Sequence, residues 1–330
     1  MKWLVLLAII LAVAVACLGC ISSPGEEKGG LTQLRIGYQP STHQAAYMLA
    51  QEKGWWAEDL KPFGITDIKE LEFPSGPPEM QAMLVGDIDV AYVGTAPPIT
   101  AIAQGLDAKL VAGVNTNGSD LVFKNGLAYK GPESLEGLSI ATPPPGSVQD
   151  TIMKHWLEES GVDVSEVKIL PMGPGDAVTA ISAGKVDGVF LPHPSPAIVE
   201  IERKGNTVVP SGKMWPDHAC CSLLVSGKLI REYPDLVEQV VKTHIKATDY
   251  INANPEEAAI IYANKTNQDL DVVKRSISGW DGRWISDPNL QVNSTVEYAK
   301  VDYQMTYTQK LLTKDDLFDT SFYEKAKQSQ

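Results

Sequence analysis

The run GPPEMQAMLVGDIDVAYV (Gly76–Val93) returns later in the chain, in degenerate form, as GPGDAVTAISAGKVDGVF (Gly173–Phe190). Each copy opens on Gly-Pro, continues with helical spacing, and reaches a glycine (Gly86, Gly184). An aspartate follows (Asp89, Asp187), and each copy closes on an apolar stretch that reads as a strand. Gly173 lies 97 residues after Gly76 and Asp187 lies 98 after Asp89, so one residue has been inserted in the second copy. A chain that builds one helix–turn–strand unit twice, a domain length apart, predicts two similar lobes. A cleft between lobes is a preferred place for a small ligand.

The 330 residues leave room for two domains, and 44% hydrophobic with 21% charged residues is the balance of a folded globular protein. The formal net charge is −13. That excess of acid excludes nucleic acid as an expected partner, because its phosphates would be repelled. A small anion stays compatible, since backbone N–H groups at helix starts bind anions without a cationic side chain.

Lys2 and Trp3 precede an apolar run from Leu4 to Val15, and Ala16-Cys-Leu-Gly-Cys20 follows. A positive start, an apolar middle and small residues before a break read as an export signal. A plain membrane anchor is the competing reading, because Trp3 to Gly19 approaches a minimal span. Residues 21–30 are polar and rich in Gly and Pro, as a flexible tether would be. The remaining cysteines, Cys220 and Cys221, are adjacent. Disulfide geometry disfavours their pairing, and they read as two thiols on a strand or at its end with one side chain inward.

Strands are predicted at Leu34–Tyr38, Ile68–Phe73, Val90–Val93 and Lys109–Val114, alternating with helices that include Trp55–Leu60, Pro78–Val85 and Ile99–Gln104. Asn115–Asp120 reads as a polar loop. The alternation restarts with strands Leu138–Thr142, Val167–Leu170, Gly188–Leu191 and Thr207–Val209, and helices Val148–Ser160, Asp176–Ala183 and Ala197–Lys204. Long helices, Pro234–Asn252, Pro255–Ala263 and Leu270–Ser278, follow. This order predicts an α/β fold with mostly parallel sheets and ligand loops at the carboxyl ends of strands. Hydroxyls, amides and histidines dominate those loops, with neither Arg nor Lys. No Walker sequence or dinucleotide fingerprint is present, so no nucleotide cofactor is expected.

Leu34-Arg-Ile-Gly-Tyr38, Ala50-Gln-Glu-Lys-Gly-Trp-Trp56, Ser75 to Asp89, Gly146-Ser147 before a helix, Gly184-Lys-Val-Asp187 and Asn252-Ala-Asn-Pro-Glu-Glu-Ala-Ala259 occur in that order. Together they resemble the solute-binding proteins of ABC importers for nitrate, sulfonate, taurine and bicarbonate, a branch that includes thiamine-precursor binders. A cysteine after Leu-Gly resembles the lipobox of exported lipoproteins, with Cys20 as the lipid site and Cys17 as a competitor.

The resemblance implies a type II periplasmic-binding fold: two α/β lobes, a ligand cleft and two inter-lobe crossings, placed near Gly118–Gly126 and Cys220–Gly227. The implied organisation is a lipoprotein signal at 1–20, a tether at 21–30, lobe 1 at 31–120 plus 225–330, and lobe 2 at 121–224. It implies ligand residues Gln39, Ser41, Thr42, His43, Ser75, Gly76, Gly94, Thr95, Gly146, Ser147, Val148 and His193. It also implies a small oxyanion, sulfonate-like, as ligand, and an ABC permease with its ATPase as partners. The protein is then expected to be lipid-anchored on the extracytoplasmic face of the cell membrane. His193-Pro194 stands where sulfonate binders of this family often carry Asp-Pro, so an acidic partner for a taurine amine is missing there.

His43, His193 and His218 with Cys220 could build a metal site if they converged, but read as ordinary loop residues no metal is expected. Asp89 and Asp187 occupy equivalent places and read as turn chemistry rather than a catalytic pair. A pyrimidine-processing enzyme on the same fold and a tethered sensor are the rival classes. The reading adopted is a binding protein, not an enzyme.

Overall fold

The computed structural model describes residues 30–329; the expected export signal, the expected lipid site at Cys20 or Cys17 and nearly all of the expected tether lie outside them. Among the described residues no helix is long and apolar enough to cross a membrane.

Strands β1 (Gln33–Tyr38), β2 (Asp67–Glu72), β3 (Val90–Gly94) and β4 (Ala108–Thr116) open the chain. Then come β5 (Ser119–Lys124), β6 (Ser139–Thr142), β7 (Lys168–Pro171), β8 (Gly188–Pro192) and β9 (Gly205–Pro210). The last are β10 (Ala219–Ser226) and the short β11 (Arg283–Trp284). They form a six-stranded sheet in the order β11-β4-β10-β3-β1-β2 and a five-stranded sheet in the order β7-β6-β8-β5-β9. In each sheet a central parallel strand (β1, β6) is flanked by two parallel neighbours, and one antiparallel strand (β10, β5) follows. The five-stranded sheet therefore repeats the strand pattern of the six-stranded one, the architecture of the type II binding fold. The first sheet's centre is closed by Leu34, Ile36, Val90, Tyr92 and Trp56, all fully buried. The second packs Val122, Ala141, Ile181, Val189 and Leu191 into its own core.

Two crossings join the sheets. The first is short, Asn117-Gly118 between β4 and β5, and both residues take positive φ (53° and 92°). The glycine is required: a Cβ there would also meet the Trp280 ring at 2.7 Å and His43 Nε2 at 2.9 Å. The second crossing runs from Pro210 to Ala219 and includes helix Ser211–Met214. Asp281 ties the two together: its Oδ1 accepts from the Gly118 N–H at 2.9 Å and its Oδ2 from the Gly212 N–H at 2.7 Å.

The expected second crossing at Cys220–Gly227 falls inside β10, which pairs with β3 and β4. Residues 219–224 therefore belong with the first sheet. The loop expected at Asn115–Asp120 is mostly strand. The C-terminal helices return to the first sheet as expected and also reach the second. In helix Leu270–Gly279, Arg275 pairs with Glu200 at 3.2 Å, and in helix Asn289–Gln304, Asp302 accepts from the Thr151 hydroxyl at 3.0 Å. Burial pushes the Asp302 carboxyl up to about 7.

Candidate functional site

The carboxyl ends of β1 and β2 face the starts of helices Pro174–Ser182 and Ser195–Ile201, and between them lies a cavity of about 460 Å³. Loop residues Gln39, Pro40 and Ser41 line one wall with Glu72 and Pro74. Gly173 to Asp176 and Pro192 to Ser195 line the other. Prolines, Val178 and Ile198 make much of the surface apolar, interrupted by a few polar groups, as small-molecule sites require.

Of the residues implied by the family, Gln39, Ser41 and His193 reach this cavity. Among the described residues the buried Ser41 hydroxyl has no hydrogen-bond partner, so it is available to a ligand. Gln39 donates from Nε2 to Glu79 Oε2 at 2.8 Å. Glu79 is fully buried, its Oε1 has no partner among the described residues, and burial pushes its carboxyl well above the usual range. His193 is engaged through both ring nitrogens, Nε2 with Asp120 Oδ2 at 2.9 Å and Nδ1 with Ser276 Oγ at 3.0 Å. The carboxylate contact requires the proton on Nε2, so Nδ1 accepts from the serine when the ring is neutral.

A second group of implied residues gathers where the lobes meet away from the cavity. A Cβ on Gly94 would stand 3.2 Å from Val148 Cγ2, and one on Gly146 would stand 3.7 Å from Thr100 Oγ1. Gly76 is pressed against Pro97, and Ser75 before it is buried. The Thr95 hydroxyl meets Ser222 Oγ at 2.8 Å and donates to the Cys220 carbonyl at 3.3 Å. The Ser147 hydroxyl accepts from the Asp150 N–H at 3.3 Å and so caps helix Val148–Glu159. Gly94 against Val148 and Gly146 against Thr100 cross between the lobes, whereas Gly76, Thr95 and Ser147 are held within their own lobe.

Thr42 and His43 sit behind the cavity, both buried. The Thr42 hydroxyl faces Ser276 Oγ at 3.4 Å, and its carbonyl accepts from Trp284 Nε1 at 2.9 Å. His43 bonds the Gly118 carbonyl through Nε2 at 2.7 Å, and its Nδ1 faces two sulfurs, Cys220 at 3.3 Å and Cys221 at 3.8 Å. Both cysteines are buried, and among the described residues neither is in a disulfide. The expectation that one would point inward fails for a local reason: the register of β10 against β4 slips between Ala219 and Cys221 and again before Ser222. Such a bulge breaks strict alternation and lets neighbouring side chains share a side. The hydrogen bond with Cys220, together with the His43 ring, pulls the Cys221 thiol down. His193 and His218 do not join this cluster: His193 is held as above, and His218 meets the Tyr298 hydroxyl at 2.9 Å. Burial lowers His218 to about 4.

Sequence reasoning missed the Gly173–Asp176 wall. The signal was present, because Gly173-Pro174 is the counterpart of Gly76-Pro77, whose neighbour Ser75 had been singled out. Asp89 and Asp187 are confirmed in structural roles. Asp89 pairs with Arg35 at 2.6 Å and Asp187 with Lys124 at 2.6 Å, away from the cavity.

A family model described as the NMT1-like family matches residues 27–264. A Bacillus subtilis protein, provisionally named as an aliphatic sulfonates-binding protein, is 27% identical, the match covering 98% of this chain and 96% of that protein. Among solved structures, the alkanesulfonate-binding protein SsuA of Xanthomonas axonopodis pv. citri, bound to MOPS, superposes with a TM-score of 0.76 at 21% identity. That match covers 88% of this chain and 99% of the other. The periplasmic nitrate-binding protein NrtA of Synechocystis gives a TM-score of 0.79 at 17% identity, covering 91% and 89%.

Proposed function

Because the chain belongs to the NMT1-like family and the relative and solved structures named above are binding proteins, we propose that it captures a small organic sulfonate between its lobes. The captured solute is passed to an ABC permease and its ATPase. The observation that carries this reading is the 460 Å³ cavity, walled by the strand ends of one sheet and the helix starts of the other. A nitrate ion would leave most of such a volume unfilled. An alkyl stem against Pro40, Pro74, Val178 and Ile198 with an oxyanion near Ser41 uses both its characters.

Glu72 and Asp176 also line the cavity, which favours a second reading, a zwitterionic aminosulfonate of the taurine kind with its ammonium toward these acids. They would take the place of the acidic partner missing at His193-Pro194. Opening of the lobes would break the Thr151–Asp302 and Arg275–Glu200 contacts, and ligand that touches both walls would favour the closed arrangement. The export signal and Cys20 support a lipid-anchored protein on the extracytoplasmic face. Changing Cys20 to Ser should abolish incorporation of a labelled fatty acid and release the protein from membranes. The same loss from Cys17→Ser alone would move the lipid site.

Calorimetric titration of purified protein with ethanesulfonate, taurine, nitrate and a pyrimidine tests the ligand class. Saturable one-site heat with the sulfonates is expected. Heat with the pyrimidine alone would refute the oxyanion reading, and nitrate binding more tightly than any sulfonate would refute the organic stem.

A further inference from the structure

The cluster of His43, Cys220 and Cys221 lies beside the inter-lobe crossings and is used by nothing described above. One ligand atom from each of the three buried residues lies within 4.8 Å of the other two. We propose that they form a binding site for a single thiophilic cation, with Zn²⁺ as its best-fitting occupant, in which the protein supplies three ligands and leaves a fourth position open.

The distances fit the ion. A tetrahedron with Zn–S bonds of about 2.3 Å and Zn–N bonds of about 2.0 Å has N–S edges of about 3.5 Å and S–S edges of about 3.8 Å. His43 Nδ1 stands 3.3 Å and 3.8 Å from the two sulfurs. The ring is already oriented as a ligating imidazole needs to be. Its Nε2–H is held by the Gly118 carbonyl at 2.7 Å, which leaves Nδ1 turned to the sulfurs. A backbone carbonyl on the far nitrogen is the usual outer support of a metal-bound histidine.

The backbone of β10 supplies an independent sign. Adjacent residues of a regular strand face opposite sides. Here the slips in register between Ala219 and Ser222 let both sulfurs meet one histidine. Bulges that re-aim side chains are concentrated next to functional sites. The charge also closes: two thiolates and a neutral imidazole cancel a divalent cation, so the filled site would bury no net charge. The site is built from both ends of the hinge, since Gly118 lies in the first crossing and Cys220 follows the second. Opening of the lobes would be its entry path.

The test uses the full chain with Cys17 and Cys20 changed to Ser, fully reduced and stripped of metal, titrated with Co²⁺ and then Zn²⁺. One equivalent of Co²⁺ should give a near-ultraviolet thiolate-to-cobalt band and intense visible bands of a tetrahedral site, and Zn²⁺ should displace it. Cys220→Ser, Cys221→Ser and His43→Gln should each weaken Zn²⁺ binding by more than about 100-fold, beyond what loss of an outer partner causes. Thermal melts identify any variant that fails to fold, and the cobalt spectrum of the protein with this trio intact stands without them. A cobalt complex lacking the thiolate band would overturn the proposal. So would Zn²⁺ affinity unchanged in the double cysteine variant, or mass spectra showing the pair only as a disulfide that resists reductant.

Discussion

Asp89 follows helix Gly76–Leu84 as Asp187 follows helix Pro174–Ser182, and each carboxylate takes the N–H of a residue on the central parallel strand. Arg35 donates to Asp89 at 3.1 Å in β1, and Ser139 donates to Asp187 at 2.9 Å in β6. The aspartate backbones return the bond, Asp89 to the Arg35 carbonyl at 2.9 Å and Asp187 to the Ser139 carbonyl at 2.8 Å. The far ends of the two units differ. Gly76 is jammed against Pro97, and Thr95 is bonded into β10 through Cys220 and Ser222. Gly173 and Gly175 have open space where a Cβ would stand, and both line the cavity with His193. The first copy is packed against its own lobe at this end, and the second is left open to the cavity. Repetition built the two walls, and the departure from repetition made a place for a solute.

Replacing the glycines separates the copies most sharply. Gly76→Ala would put Cβ 2.4 Å from Pro97 Cγ and should cost about 2–3 kcal/mol of stability by overpacking. Gly175→Ala, in the first turn of its helix with nothing within 4 Å, should be neutral or stabilising by up to about 1 kcal/mol. Urea titrations giving both variants the same sign would break the contrast.

Asp187→Asn should cost about 1–2 kcal/mol, because the carboxylate accepts from Lys124, Ser139 N–H and Ser139 hydroxyl while staying partly in water. Lys124 and then Ser139 hold this carboxyl down at about 2. A folded value below the unfolded one, about 4, means its stabilisation is present above pH 4 and lost as pH falls toward 2. Melting profiles of the variant should therefore be flatter in that window. An unchanged acid limb would show that the Asp187 contacts with Lys124 and Ser139 add nothing to stability.

Two serines sharpen the comparison at smaller scale. Ser147→Ala should lower stability by about 1 kcal/mol through loss of the helix cap. It should leave sulfonate affinity within about twofold if the cap is its whole role. Ser41→Ala should do the reverse, with affinity falling by about fivefold and melting unchanged. Titration and melts of both variants check the pair, and an exchange of the two outcomes would move the site to the lobe junction.

Much of the fold was legible because its central strands are short apolar runs bounded by glycine and polar turns. β5 was not, since Ser119 and Asp120 open it with loop chemistry although both are buried and paired. Helix Asn289–Gln304 was hidden for a related reason: Gln291, Thr295 and Asp302 are on its buried side, so no apolar stripe marks it. Site residues were harder still. A hydroxyl before a helix reads alike whether it caps that helix, as Ser147 does, or faces a cavity, as Ser41 does. The convergence of Cys220 and Cys221 on His43 depends on a slip in strand register, which side-chain alternation along the sequence cannot express.

The most direct test places a bulky ring in the open copy. Gly173 has no neighbour within 4 Å of a built Cβ and takes an ordinary φ of −63°, so Gly173→Phe fills the cavity without backbone strain. Ethanesulfonate titrated calorimetrically against this variant should bind more than about 100-fold more weakly than against the parent, with stability within about 0.5 kcal/mol. Undiminished affinity in a folded Gly173→Phe protein would contradict the placement of the solute at the open end of the second copy.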